Sequence, residues 1–144
     1  MNHNALRSTE ESRHAPVVLV VEDDADCLET ICDTLRDASY VVRAAQDGEE
    51  ALRLLLASEP PEPTVIVLDL WLPGMSGQDF LKRLKSHERL SRIPVIVTSA
   101  GRPNGADSSK EAIWLAKPFA AERLVAAVKE RVEIVLPPAK STSA

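Results

Sequence analysis

The sequence predicts an α/β fold with a doubly wound parallel sheet of five strands. Short apolar runs alternate five times with segments of helical periodicity, which is the pattern of a sheet covered by helices on both faces. Three of the runs are continuously apolar, as expected for strands that are buried on both faces of a parallel sheet. The predicted strands are residues 17–21, 40–43, 65–68, 94–97 and 113–116.

Four further segments carry apolar residues three or four positions apart, which is the spacing of one helix face. Asp47 followed by Glu50, and Ser76 followed by Asp79, place capping side chains at the start of two of these helices. The last helix begins near Ala120, a poor cap, so its first turn is predicted to fray. The four apolar stripes are Leu28, Ile31, Cys32 and Leu35; Ala51, Leu52, Leu55 and Leu56; Phe80, Leu81 and Leu84; and Leu124, Val125, Val128 and Val132.

The composition favours one domain between two short tails. The chain has 144 residues, of which 44% are hydrophobic and 27% are charged, and this suits a single globular core. The domain is predicted to span residues 16–135, with flexible polar tails at 1–15 and 136–144. The net charge of −5 argues against a direct nucleic-acid partner. No apolar run reaches the roughly 18–20 residues of a membrane span.

The two cysteines indicate that the protein resides in a reducing compartment. Cys27 and Cys32 lie in one predicted helix, without the spacing of a metal site or of a disulfide framework. Because disulfides are rare in reducing compartments, free structural thiols fit a cytoplasmic protein. The sequence therefore predicts a reduced, cytoplasmic chain.

Polar side chains stand at the carboxyl ends of four predicted strands. In doubly wound folds, ligands bind beyond this edge of the sheet, so we expect these side chains to lie close together. They are Glu22, Asp23 and Asp24 after the first strand, Asp69 after the third, Thr98 and Ser99 at the fourth, and Lys117 after the fifth.

The charges of this set predict a site for a divalent cation and a phosphoryl group. Glu22, Asp23 and Asp69 together carry three negative charges, which Mg²⁺ and Lys117 would balance. Such a neutral site could accept a phosphoryl group, with an aspartate carboxylate as the nucleophile. Asp24 is predicted to cap the first helix or to lie in its first turn, rather than to bind the metal.

The chain resembles the receiver, or phosphoacceptor, domain of two-component response regulators over residues 16 to 135. Four motifs in the order of that family carry the resemblance, and together they are highly specific. They are the acid pair in VVEDD, the loop LDLWLPGMSG, the hydroxyl in VTSA and the tripeptide KPF. The resemblance implies a sheet order of 2-1-3-4-5 and a phosphodonor that is a histidine kinase or a histidine phosphotransfer protein.

The resemblance also implies a role for each residue of the site. Asp69 would be the phosphoacceptor, Thr98 would hydrogen-bond the phosphoryl group, and Lys117 would pair with it through a side chain that precedes a cis Lys117–Pro118 bond. The implied Mg²⁺ ligands are Glu22, Asp23, Asp69 and the backbone carbonyl oxygen of Trp71.

The chain departs from the receiver pattern at two places. The segment between the fourth and fifth strands contains Gly101, Pro103 and Gly105 and no apolar stripe, so the helix of this interval is predicted to be short, missing or disordered. Trp114 occupies the position of the smaller aromatic residue that works with Thr98 as the family's switch. A tryptophan is larger, which puts the usual inward swing in doubt.

Three functions fit these residues. The first is a stand-alone receiver that takes a phosphoryl group on Asp69 and regulates a downstream protein or relays the group. The second is a phosphatase of the haloacid dehalogenase type, but that class needs an acid two residues after the nucleophile, where this chain has Trp71. The third is an interaction module on a receiver fold that works without phosphorylation. The first is the predicted function, and it is not that of a turnover enzyme.

Overall fold

Five parallel strands form one sheet in the order β2-β1-β3-β4-β5 in the computed structural model, which describes residues 16–57, 62–100 and 113–135. This order confirms the predicted topology. The strands are β1 Val17–Val21, β2 Val41–Ala45, β3 Val65–Asp69, β4 Val95–Ser99 and β5 Ile113–Ala116. The helices are α1 Ala25–Asp37, α2 Gly48–Leu56, α3 Gly77–Ser86 and α4 Ala121–Val135, with a 3-10 turn at Leu90–Arg92.

Helices cover both faces of the sheet and enclose two apolar clusters. One cluster joins α2 and α3 to the sheet, and the other joins α1 and α4 to the opposite face. Every residue of β1, β3 and β4 is buried, which is why these strands read as continuous apolar runs. None of the described helices combines the length and apolarity that a bilayer crossing requires.

Strands β2, β3 and β4 differ in their boundaries from the predicted ones, and backbone hydrogen bonds explain two of these differences. β2 begins at Val41 because the backbone N–H of Tyr40 donates to the carbonyl oxygen of Leu35 at 3.1 Å, which ties Tyr40 to the end of α1. β4 continues to Ser99 because the carbonyl oxygens of Thr98 and Ser99 still accept from the backbone of the flanking chain segments, at 2.9 and 2.7 Å. Backbone pairing, rather than side-chain polarity, sets these limits.

The predicted helix caps are confirmed. Asp24, Asp47 and Ser76 each accept a hydrogen bond from the backbone N–H three residues further on, at 3.0, 2.7 and 3.0 Å. These bonds satisfy donors that a helix leaves unpaired at its start. In a capping box, the side chain of Glu50 would accept a hydrogen bond from the backbone N–H of Asp47. Here it accepts instead from the N–H of Gln46, at 2.9 Å. Asp24 is therefore a helix cap.

Three predictions concern residues that the structure does not describe. The predicted loss of the helix between β4 and β5 falls on residues 101–112, outside the described residues. Four α-helices lie in the described part of the chain, and the fourth follows β5. The predicted tails at 1–15 and 136–144 also lie outside the described ranges.

Gly77 fixes the loop that follows β3. A Cβ atom at this position would lie 2.7 Å from both the Cα and the carbonyl oxygen of Leu70, and the backbone N–H of Gly77 donates to that same oxygen at 3.0 Å. We expect Gly77→Ala to lower the free energy of unfolding by about 2–3 kcal/mol, because backbone atoms must move apart. Urea denaturation would measure this loss.

Gly48→Ala is the matched control for this substitution. Gly48 also begins a helix, but its added Cβ would meet the flexible side chain of Met75, with Sδ at 3.1 Å. The loss in Gly48→Ala should therefore be clearly smaller. Equal losses in the two variants would contradict the close approach at Leu70.

Candidate functional site

The sheet brings the predicted site residues together at its carboxyl edge. Asp69 lies opposite Thr98 in the β3–β4 register, and Thr98 lies opposite Leu115, two residues before Lys117. Glu22 directly follows β1, which pairs with β3. Parallel strands in this register end at one level, so each polar residue emerges beside the next. The clustering predicted from the strand ends is therefore found.

The three acids form a compact group of oxygen donors. One carboxylate oxygen from each of Glu22, Asp23 and Asp69 lies within 4.8 Å of the other two. Glu22 and Asp69 are buried, whereas Asp23 is exposed. Oxygen ligands of this kind, from carboxylates, suit a hard cation such as Mg²⁺. The donor set thus fits the predicted metal.

Lys117 makes its shortest contact with Glu22. Its Nζ atom lies 2.8 Å from Oε1 of Glu22 and 3.5 Å from Oδ2 of Asp69. The other oxygen of Glu22 accepts from the backbone N–H of Asp24 at 3.2 Å. Both oxygens of Glu22 are therefore engaged within the protein. The pairing of Lys117 with Glu22 was not predicted from the sequence, which had matched Lys117 with the phosphoryl group.

The pKa of Asp69 is raised to about 6. Burial is the main cause, and the negative charge of Glu22 adds to it, while the hydrogen bond from Trp71 and the charge of Lys117 act in the opposite direction. Burial alone would lower the pKa of Lys117, but its hydrogen bond to Glu22 and the charge of Asp69 hold that pKa above its ordinary value. One ammonium group between two buried carboxylates leaves excess negative charge, and this favours a further cation.

Thr98 presents an unsatisfied hydroxyl group next to Asp69. The residue is 1% exposed, and its Oγ1 atom has no hydrogen-bond partner in the described part of the chain. A buried hydroxyl without a partner is unfavourable. An acceptor oxygen that entered the site would relieve this cost, as the predicted contact with a phosphoryl group requires.

Trp71 spans from the loop after β3 to the end of β4. Its backbone N–H donates to Oδ1 of Asp69 at 3.1 Å, and its indole N–H donates to Oγ of Ser99 at 3.2 Å. The residue remains 56% exposed, so the ring lies at the mouth of the site. No sequence signal links Ser99 to a residue 28 positions away. The Trp71 carbonyl oxygen as a metal ligand stays a prediction.

Trp114 packs inward from β5. It lies opposite Val97 in the β4–β5 register and contacts the apolar cluster under α2 and α3. Its indole Nε1 atom is buried without a hydrogen-bond partner among the described residues. The role of Trp114 with Thr98 in a switch stays a prediction. The Lys117–Pro118 bond is cis, as the family resemblance implied.

Comparisons with known proteins agree with this fold. The sequence profile of the family described as "Response regulator receiver domain" matches residues 18–129. The chain belongs to this family.

Among its relatives, the chain is 34% identical over 129 residues to the Escherichia coli phosphate regulon transcriptional regulatory protein PhoB, covering 83% of this chain and 53% of PhoB. It is 34% identical over 91 residues to the rice two-component response regulator ORR6, covering 63% of this chain and 54% of ORR6. The chain thus spans about half the length of these curated relatives.

Solved structures show the same architecture. The chemotaxis response regulator CheY4 of Vibrio cholerae superposes with a TM-score of 0.72 at 26% identity, covering 81% of this chain and 98% of CheY4. A response regulator structure from Chloroflexus aurantiacus gives a TM-score of 0.72 at 32% identity, covering 82% of this chain and 98% of that one.

Proposed function

We propose that Asp69 accepts a phosphoryl group from a histidine kinase or a histidine phosphotransfer protein in a Mg²⁺-dependent reaction. The observation that carries this proposal is the position of Asp69. Its buried carboxylate lies 3.5 Å from the Nζ atom of Lys117 and within 4.8 Å of the oxygens of Glu22 and Asp23. Membership of the receiver family supports the same role.

The proposed reaction forms a bond between a carboxylate oxygen of Asp69 and phosphorus, and it breaks the phosphorus–nitrogen bond of a phosphohistidine. The leaving imidazole takes up a proton. Lys117 and the hydroxyl group of Thr98 would hold the phosphoryl oxygens. Bound Mg²⁺, held by Glu22, Asp23, Asp69 and the Trp71 carbonyl oxygen, would neutralise negative charge.

We propose that the phosphorylated receiver acts as a stand-alone protein on a downstream protein partner, or passes the group along a relay. The free thiols Cys27 and Cys32 support a cytoplasmic location, and the net charge of −5 supports a protein rather than nucleic acid as the direct partner. We expect self-phosphorylation and slow self-dephosphorylation, but no turnover of phosphomonoesters.

The Mg²⁺ requirement tests this proposal. Protein incubated with acetyl phosphate and Mg²⁺ should gain the mass of one phosphoryl group. The gain should disappear with EDTA and return when Mg²⁺ is added in excess. Equal uptake with and without a divalent cation would contradict the proposed role of the acid group.

The two acids after β1 should contribute unequally to Mg²⁺ binding. Both oxygens of Glu22 are already engaged by Lys117 and the Asp24 backbone, whereas Asp23 is exposed. We expect Asp23→Asn to weaken Mg²⁺ binding by about tenfold or more, and Glu22→Gln to weaken it less. Mg²⁺ titration followed by the fluorescence of the exposed Trp71 would measure both. A greater loss in Glu22→Gln would contradict this division.

Trp71 should slow hydrolysis of the acyl phosphate by restricting the approach of water. Its backbone N–H is bonded to Asp69, and its indole ring is anchored by the hydrogen bond to Ser99, the residue after Thr98. We expect Trp71→Ala to accelerate dephosphorylation several-fold, and Ser99→Ala to accelerate it less, because the ring stays but loses its anchor. Decay of the phosphorylated species after removal of the donor gives the rates. An unchanged rate in Trp71→Ala would exclude the shielding role.

A further inference from the structure

A groove lies at the amino edge of the sheet, away from the carboxyl edge that holds Asp69. It is bordered by α3, the 3-10 turn, the start of β4 and the C-terminal half of α4, and its volume is about 310 Å³. The main apolar residues that line it are Leu81, Ile93, Val95 and Ile134. This volume is at the lower end of the range for small-molecule pockets, about 300–1,000 Å³, so the groove suits one or two inserted side chains.

The apolar part of the groove continues onto the exposed end of α4. Ile134 is 61% exposed and Val135 is 41% exposed, and both line the groove. Exposed large apolar side chains beside a concave surface are typical of a binding site for another molecule.

The polar part of the groove is cationic. Lys85, Arg92 and Arg131 are among its lining residues, and none of the described residues that line it is acidic. The Nε atom of Arg131 is buried and has no hydrogen-bond partner in the described part of the structure. A buried guanidinium N–H without an acceptor is unfavourable. A carboxylate that entered the groove would accept this hydrogen bond and would meet complementary charge.

We propose that this groove docks a short segment of a partner protein that inserts an apolar side chain next to a carboxylate. The charge of the groove selects an acidic segment. The chain's own residues 136–144 contain Lys140 and no aspartate or glutamate, so charge complementarity does not favour them as the occupant. The proposal is independent of phosphorylation, because the groove contains no residue of the Asp69 site.

The test uses two synthetic peptides and the full-length Asp69→Asn protein, so that its outcome does not depend on phosphoryl transfer. One peptide carries Leu and Ile flanked by Glu residues, and the other has every Glu replaced by Gln. Backbone amide NMR shifts would locate binding. We expect the acidic peptide to shift residues of the groove, and the neutral peptide to bind about tenfold more weakly or not at all.

Variants of the groove separate a specific site from general charge attraction. Arg131→Gln should weaken binding of the acidic peptide by about tenfold, and Ile134→Ser should also weaken it. Lys129→Gln changes the charge of the same helix equally at an exposed position outside the groove lining, and it should leave binding unchanged.

Four results would overturn the proposal. The first is equal binding of the acidic and the neutral peptide, and the second is an equal effect of Arg131→Gln and Lys129→Gln. The third is a marked gain in peptide binding when residues 136–144 are deleted, or when Asp107 and Glu111 are replaced by Asn and Gln, since a segment of the chain itself would then be the occupant. The fourth is a set of groove shifts that grow with protein concentration without peptide, which would identify a second copy of the chain as the occupant.

Discussion

Asp69→Asn is expected to lower phosphoryl uptake from acetyl phosphate by about 10³-fold or more, because an amide is not a nucleophile toward phosphorus. The substitution keeps the size of the side chain. It also keeps an oxygen that can accept the hydrogen bond that the Trp71 backbone N–H donates to Asp69 in the unsubstituted protein, at 3.1 Å. The fold should therefore remain intact. Intact-mass measurement after incubation with the donor and Mg²⁺ gives the stoichiometry.

The same substitution should stabilise the metal-free protein. The pKa of Asp69 is raised to about 6 from an ordinary 3.8, first by burial, so the folded state binds this proton more tightly than the unfolded state does. The charged carboxylate therefore costs stability above pH 6. We expect Asp69→Asn to raise the free energy of unfolding in EDTA by about 1–2 kcal/mol at pH 7. This gain should shrink as the pH falls from 6 towards 4.

Asp33→Asn is the matched control for both effects. Asp33 lies on α1 with a side chain that is 63% exposed, and it forms a surface ion pair with Arg36 at 3.5 Å. Its replacement should change neither phosphoryl uptake nor stability by much. Full uptake in Asp69→Asn, or an equal loss in Asp33→Asn, would contradict the assignment of Asp69.

Lys117→Met is expected to produce the largest loss of stability among the charged residues of the site. The side chain of Glu22 is 2% exposed and that of Lys117 is 23% exposed, and the two are 2.8 Å apart. Removal of the cation leaves two buried carboxylates without a positive charge between them. We expect the free energy of unfolding in EDTA to fall by about 2–4 kcal/mol at pH 7. Urea denaturation measures this loss.

A double-mutant cycle with Glu22→Gln tests the cause of that loss. If the unpaired Glu22 carboxylate is responsible, adding Glu22→Gln to Lys117→Met should restore much of the lost stability. Mg²⁺ should also restore part of it in the single variant. Lys129→Met, at an exposed position on α4, should cost little. Additive losses in the cycle would show that Glu22 and Lys117 are not coupled.

Much of the fold could be predicted from the sequence because its strongest signals are local or periodic. The buried strands β1, β3 and β4 are continuously apolar, and the caps at Asp24, Asp47 and Ser76 are set by contacts over three residues. The boundaries of β2 and β4 could not be predicted, because they depend on backbone hydrogen bonds that any residue can make.

The residues that form the site could be predicted from the sequence, but the contacts between their side chains could not. Parallel strands carry the residues that follow them to one edge, so Glu22, Asp69 and Lys117 could be grouped from their positions alone. Which carboxylate lies closer to Lys117 depends on side-chain directions, which strand position does not give. The hydrogen bond from Trp71 to Ser99 likewise joins residues 28 positions apart, and neither residue type indicates the other.

The location of the phosphoryl group tests the central claim most directly. The protein would be incubated with acetyl phosphate and Mg²⁺, the acyl phosphate reduced with borohydride, and the altered residue identified by peptide mass spectrometry. We expect a single modified position, Asp69, that is unmodified when EDTA is present. Modification at any other residue, or none in Mg²⁺, would contradict the assignment of Asp69 as the phosphoacceptor.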